Sequence, residues 1–194
     1  MVIIVERKNE IVEIEGENYL HLYRGTSMEW LKKDNGDYLD HTRHISFTTD
    51  KTIAEQFASL NHSDGFSPVV IEIFAPINDV DFNYSILPKL SKRFSYGNDT
   101  GQKEFSTMWQ VPLSWMKGYL NFENGKYIEN KKFDPNFIPT KIPLAAIAPY
   151  KNIYEKYMPQ ELKELENNYP DIENLWDERW KKYFQLEEKR MKYN

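Results

Sequence analysis

Cysteine is absent from this 194-residue chain. The absence excludes disulfides, thiolate catalysis and zinc sites built on cysteine, and it fits a reducing compartment. Long hydrophobic runs are also missing, since an apolar stretch such as residues 69–74 is interrupted by Glu72 and is far too short to span a bilayer. Residues 1–5 lack the pattern of a signal peptide. We therefore expect a cytoplasmic protein with no membrane partner.

An excess of basic charge is missing too. The formal net charge is -5 at pH 7, so no global field attracts nucleic acid nonspecifically. A local basic strip of Lys89, Lys92 and Arg93 remains a candidate phosphate contact. His41 and His44 have a spacing that could bind a metal, but they lie in a polar stretch with no cysteine nearby. We predict no metal site.

The composition supports a real hydrophobic core, with 40% hydrophobic and 15% aromatic residues. From Pro159 the sequence changes to charged helix formers, which predicts a main domain over residues 1–158 and a helical extension over residues 159–194 packed on the same domain. Pro159 and Pro170 are typical helix starts. The second start precedes an apolar stripe that should dock on a core or a partner: Ile172, Trp176, Trp180, Tyr183 and Phe184.

Short strands separated by turns predict an α+β fold. The predicted strands cover residues 2–5, 11–14, 19–23, 45–48, 69–74, 104–111 and 142–147. A helix is predicted from Thr49 or Asp50 to about Leu60. Its apolar face would hold Ile53, Phe57 and Leu60, while Ala54 and Ala58 would allow close packing against a sheet. Residues 79–101 are predicted to include a mobile loop beside a cleft.

Three polar motifs stand at the edges of these predicted elements: Tyr23-Arg24-Gly25-Thr26, Ser46-Phe47-Thr48-Thr49 and Gln102-Lys103-Glu104. An arginine fork suits a phosphate-rich ligand, and a carboxylate can stabilise a developing cation. Taken singly, each motif has an ordinary explanation. Arg24 could form a surface salt bridge, the Ser46 segment could end a strand and cap a helix, and Glu104 could be a solvated strand residue. Their order and spacing together favour a functional site.

In that order and spacing, the motifs resemble the NAD site of the ADP-ribosyltransferases, in the clade defined by Arg, Ser and Glu. The resemblance covers roughly the first 150 residues. It implies a split two-sheet core with surrounding helices, and NAD as a consumed substrate. It also implies that Arg24, with Gly25 and Thr26, binds NAD, that Ser46 orients the catalytic Glu104, and that Thr48 lines the nicotinamide pocket. Phe47 interrupts the more usual consecutive hydroxyls of the middle motif.

The residue two positions before the catalytic glutamate bears on the acceptor. Family members with Glu there often modify arginine, whereas Gln102 matches members with asparagine or nucleobase acceptors. The resemblance therefore implies a mono-ADP-ribosyltransferase acting on a non-arginine protein side chain or a nucleobase. Bacterial or phage toxins and defence effectors are similar, which makes an antitoxin or chaperone an expected partner. Two alternatives stay open: an NAD glycohydrolase, and a catalytically inactive binding module with the same fold.

Overall fold

Both strands and helices form along the chain. A computed structural model describes residues 10–31, 37–39, 45–63, 65–98 and 101–174, together with the single positions 177, 178, 181 and 185. The strands in these ranges are β1 (Ile11–Ile14), β2 (Glu17–Ser27), β3 (Tyr38–Leu39), β4 (Ile45–Thr48), β5 (Pro68–Pro76), β6 (Val80–Asp81), β7 (Phe94–Asn98), β8 (Glu104–Thr107), β9 (Val111–Pro112), β10 (Met116–Asn121) and β11 (Lys126–Glu129). The helices are α1 (Met28–Leu31), α2 (Lys51–Ser63), α3 (Lys151–Tyr157) and α4 (Pro159–Asn168).

Nine of these strands make one mixed sheet in the order β11-β10-β5-β2-β4-β8-β7-β6, with β1 added beside β2. Neighbouring strands are antiparallel except β6 and β7, which are parallel. Strands β3 and β9 form a separate two-stranded sheet. The predicted mixed α+β class is confirmed, whereas the family-specific form of the two-sheet core stays a prediction.

The large sheet narrows to a single residue pair at its centre. Strand β2 pairs with β5 from Tyr19 to Ser27, but its other edge is shared by β1, which pairs up to Leu20, and by β4, which pairs only at Tyr23 with Thr48. In the described residues the pairing of β2 with β4 ends there, so the two strands separate. We call the opening between residues 24–27 of β2 and residues 45–47 of β4 the fork.

The two faces of the sheet are packed differently. The main core covers one face and includes Leu20, Leu22 and Phe47, all almost fully buried. On the other face α2 sits on Val70 through Ala54 and Ala58. This confirms the close packing predicted for the two alanines. The predicted apolar face of α2 is wrong in part, because Phe57 is 45% exposed and Leu60 is 62% exposed. Helix α2 packs on Val70 through its two alanines, while Phe57 and Leu60 stay exposed.

The sequence predicts five of the described strands, β1, β2, β4, β5 and β8, but it misses β3, β6, β7, β10 and β11. Residues 142–147 do not form a strand: Pro143 makes one isolated bridge with Trp109, and a 3-10 helix, Ala145–Tyr150, follows. Proline has no N–H to donate to a ladder, which explains the difference. The loop predicted over residues 79–101 contains β6 and β7. The predicted strand at residues 2–5 lies outside the described residues.

The basic strip predicted as a phosphate contact is largely occupied by the protein itself. Arg93 is 1% exposed, its Nε lies 3.7 Å from Asp79 Oδ2, and its guanidinium carbon lies 5.1 Å from the centre of the Trp115 ring. Lys89 Nζ lies 2.7 Å from Asp81 Oδ2. Arg93 is therefore a core residue. The sequence-based prediction is wrong for Arg93, because charge in the sequence does not reveal burial.

The C-terminal helices pack on the same core. Helix α4 begins at Pro159 as predicted, and its Leu162 and Leu165 are buried in the main core. Of the predicted apolar stripe, Ile172 is 1% exposed in that core. The other stripe residues lie outside the described residues: Trp176, Trp180, Tyr183 and Phe184. In the part of the chain that the structure describes, no helix combines the length and apolar character needed to cross a bilayer.

Candidate functional site

A cavity of about 330 Å³ opens at the fork. This volume is at the lower end of the range for ligand pockets. Its described lining residues are Tyr23, Arg24, Gly25, Ser46, Phe47, Thr48, Ile53, Ala54, Phe57, Gln102 and Glu104. Six of the seven predicted site residues therefore line one cavity, with β2, β4, α2 and the start of β8 forming its walls.

Thr26 is the predicted site residue that the structure places elsewhere. It pairs with Val69 of β5 and is 4% exposed, and it is outside the set of described residues that line the cavity. Successive residues of a strand point to opposite faces, so Gly25 and Thr26 cannot both face α2.

Gly25 brings α2 against β2. A Cβ atom at this position would lie 2.0 Å from the Ala54 carbonyl oxygen and 2.5 Å from the Ala58 nitrogen. Both are backbone atoms of α2. The helix backbone therefore occupies the space that a side chain at position 25 of β2 would need. The close approach places Ile53, Ala54 and Phe57 in the cavity wall.

Arg24 spans the fork. Its Nη1 donates a hydrogen bond of 2.8 Å to the Ser46 carbonyl oxygen on β4, and its guanidinium carbon lies 6.0 Å from the centre of the Phe47 ring. These contacts orient a planar group that carries five N–H donors. The side chain of Arg24 fits between β2 and β4 because the two strands separate at the fork.

Thr48 links the middle motif to the last one. Its hydroxyl donates to the Gln102 carbonyl oxygen at 2.7 Å and accepts from the Asp50 N–H at 3.0 Å. The first bond holds the turn that carries Gln102, and the second lies at the start of α2. Lys103 in that turn has a φ of 47°, and its Nζ lies 3.8 Å from Asp50. Thr48 thus positions two walls of the cavity at once.

Glu104 is the first residue of β8, directly opposite Thr48. The hydroxyl of Ser106 donates to Glu104 Oε1 at 3.4 Å, and Ser106 is itself paired with Ser46 across the strands. Sequence analysis missed Ser106 as a partner of Glu104. The signal was present, since residues two apart in a strand share a face, and the segment Glu104-Phe105-Ser106 alternates accordingly.

A polar cluster continues from the cavity along the same face of the sheet. Tyr23 pairs with Glu72 of β5. His21 Nε2 lies 2.7 Å from Glu72 Oε1, the Tyr127 hydroxyl donates to Glu72 Oε2, and Lys117 Nζ lies 3.8 Å from the same carboxylate. Burial alone would raise the pKa of Glu72, but the bonds from His21 and Tyr127 and the charge of Lys117 outweigh it and hold the pKa at about 2.

This lowered pKa predicts how acid affects stability. The ordinary pKa is 4.5 and the folded value is about 2, so the ionised Glu72 stabilises the fold above pH 4.5 and loses that effect as the pH falls toward 2. The unfolding free energies of the wild type and Glu72→Gln, measured by urea titration at several pH values, should therefore converge as the pH is lowered through this window. Parallel curves over that range would contradict the assignment.

Across the described ranges, no cluster of three or more histidine, aspartate or glutamate side chains is suited to a metal ion. His41 and His44 lie outside those ranges. Neither a family model, nor a curated protein, nor a solved structure matches this chain.

Proposed function

We propose that this chain is a mono-ADP-ribosyltransferase that cleaves NAD and transfers the ADP-ribosyl group to an acceptor other than arginine. The observation that carries the proposal is the meeting of Arg24, Ser46 and Glu104 at one cavity. The three residues come from distant parts of the chain, and the pattern that predicts them as a site uses no knowledge of the fold. Their convergence supports a shared function over three unrelated structural roles.

The reaction that fits these residues consumes NAD. Glu104 stabilises the positive charge that grows on the ribose as its bond to nicotinamide breaks. Arg24 binds the pyrophosphate, with its guanidinium already oriented by the bond to the Ser46 carbonyl oxygen. Nicotinamide leaves, and an acceptor X–H attacks the ribosyl cation. The balance is NAD⁺ plus X–H giving ADP-ribosyl–X, nicotinamide and one proton.

The direct test is to incubate the purified protein with NAD labelled in its ADP-ribosyl part, alone and with cell protein or nucleic acid fractions. We expect nicotinamide release, and label in one macromolecular fraction. Release without transfer in any fraction would make the protein an NAD glycohydrolase instead. No release under any condition would contradict the enzymatic proposal and favour the binding module.

Replacing Arg24 with Lys should weaken NAD binding by about tenfold, because a point charge replaces a planar fork that can hold two phosphate oxygens. Calorimetric titration with NAD measures the change. Arg24→Ala should weaken binding further, and thermal unfolding of both variants checks that the fold is intact. If Arg24→Lys binds NAD as tightly as the wild type does, Arg24 does not contact the pyrophosphate.

Gln102 is placed to select the acceptor. Its side chain is exposed at the mouth of the cavity, and its backbone oxygen is held by Thr48, so truncating the side chain should leave the turn in place. An amide can donate to and accept from an amide or a base edge, whereas a carboxylate favours a guanidinium.

We expect Gln102→Ala to reduce transfer to the labelled fraction by about tenfold while NAD hydrolysis continues. Label transfer and nicotinamide release are measured on the same samples. Lys103→Ala, which truncates the next exposed side chain of the same turn, is the matched control. Equal loss of both activities in Gln102→Ala would mean that Gln102 supports the NAD site itself.

A further inference from the structure

Three side chains form a continuous hydrogen-bonded path that starts at the cavity. Tyr23 lines the cavity, and its hydroxyl lies 3.4 Å from His21 Nδ1. The other ring nitrogen of His21 lies 2.7 Å from Glu72. An ionised carboxylate only accepts, so His21 donates to Glu72 through Nε2–H. In the neutral imidazole, Nδ1 then accepts from the Tyr23 hydroxyl. The path is therefore polarised from the cavity towards Glu72.

The end of the path is suited to a positive charge. Glu72 is 13% exposed and is ionised at neutral pH, and His21 is 22% exposed. The His21 ring stacks on Phe74, with 4.6 Å between ring centres, and lies 4.5 Å from the Tyr23 ring. These contacts hold the imidazole in one orientation. An imidazolium formed there would lie beside the Glu72 carboxylate, on a ring that is in part open to water.

The path reaches the same site as Glu104. Tyr23 pairs with Thr48, and Thr48 pairs with Glu104, so the three residues form one row across β2, β4 and β8. Paired residues of antiparallel strands share a face and lie about 5 Å apart at Cα, which separates Tyr23 from Glu104 by ~10 Å. The small side chain of Thr48 stands between them. An acceptor can therefore approach the reacting carbon between Glu104 and Tyr23.

We propose that Tyr23 and His21 remove the proton of the acceptor as it attacks the ribosyl cation. This inference rests on the proposed function. As the bond from X to the ribose carbon forms, the proton of X–H passes to the Tyr23 oxygen, and the Tyr23 proton passes to His21 Nδ1. His21 becomes an imidazolium paired with Glu72. It then returns a proton to solvent, which accounts for the one proton that the reaction releases.

Tyr23 acts in this path as a neutral hydroxyl. Burial, together with the nearby charge of Glu72, raises the pKa of Tyr23 to about 12, so the hydroxyl keeps its proton at neutral pH. It must therefore receive and pass on a proton in one event. Without the His21 ring behind it, the phenol has no partner on this path to take its own proton.

The test compares two small acceptors that differ in one respect. Methanol must lose a proton when it captures the ribosyl cation, whereas azide ion carries none. Wild-type protein, His21→Gln and Tyr23→Phe are incubated with NAD, methanol and sodium azide, and the methyl and azido products of ADP-ribose are quantified by mass spectrometry. Tyr127→Phe, which removes a different hydrogen bond to Glu72, is the matched control.

We expect the ratio of azido to methyl product to rise at least ~10-fold in His21→Gln and Tyr23→Phe, since general base catalysis contributes about that much or more. The ratio for Tyr127→Phe should stay near the wild-type value. A purely structural role would lower both products together and leave the ratio unchanged, which would overturn the relay. If the wild-type protein releases no nicotinamide from NAD in the presence of either acceptor, the result would instead overturn the proposed function.

Discussion

Glu104→Gln is expected to lower nicotinamide release by at least ~100-fold while leaving the fold and much of the NAD affinity intact. The substitution keeps the size of the side chain and an oxygen for the Ser106 hydroxyl, which lies 3.4 Å from the carboxylate. What it removes is the negative charge that stabilises the ribosyl cation. Ground-state binding of NAD depends less on that charge, so the substitution should lower the turnover rate much more than it lowers NAD affinity.

Steady-state nicotinamide release and calorimetric NAD binding separate these two effects for Glu104→Gln. Glu129→Gln is the matched control, because Glu129 is an exposed glutamate on β11 at the far edge of the same sheet. Its release rate should equal that of the wild type. Near-wild-type release by Glu104→Gln would remove Glu104 from the catalytic role.

Gly25→Ala is expected to disrupt the cavity and to lower the free energy of unfolding by about 1–3 kcal/mol. The added Cβ would lie 2.0 Å from the Ala54 carbonyl oxygen, a distance that no rotamer change relieves because both atoms belong to the backbone framework. Helix α2 would have to move away from β2. Since α2 supplies part of the cavity wall, NAD binding should be lost with it.

Urea unfolding and NAD titration measure the two consequences of Gly25→Ala. Gly16→Ala is the control, since Gly16 has a φ of 85° but no atom within 4 Å of an added Cβ. That variant should be destabilised by its backbone conformation alone and keep its NAD affinity. Ala54→Gly should not rescue Gly25→Ala, because the clash is with the Ala54 backbone. Unchanged stability of Gly25→Ala would mean that α2 does not pack where the structure places it.

Local chemistry in the sequence was enough to predict several features. Alternation of apolar residues predicts β1, an apolar stretch stopped by Pro76 predicts the central part of β5, and Pro159 predicts the start of α4. The two alanines of α2 predict its close packing on the sheet. Each of these depends on residues a few positions apart, where strand and helix periodicity and the restrictions of proline act directly.

The meeting of Arg24, Ser46 and Glu104 was predicted from order and spacing, but the shape that joins them depends on pairing between distant strands. The fork exists because β2 and β4 share one pair, Tyr23 with Thr48. Nothing local to either strand limits the pairing to that residue. Their register is set by the packing of both sheet faces, which a single linear pattern does not describe.

Burial and long-range contacts account for the remaining differences. Arg93 belongs to a charged segment in the sequence and to the core in the fold, while Phe57 is 45% exposed although it is apolar. The bond between His21 and Glu72 joins residues 51 positions apart. Local rules determine several of the strands and helix starts. The assembled sheet determines which side chains meet, because register and packing arise only when distant segments pair.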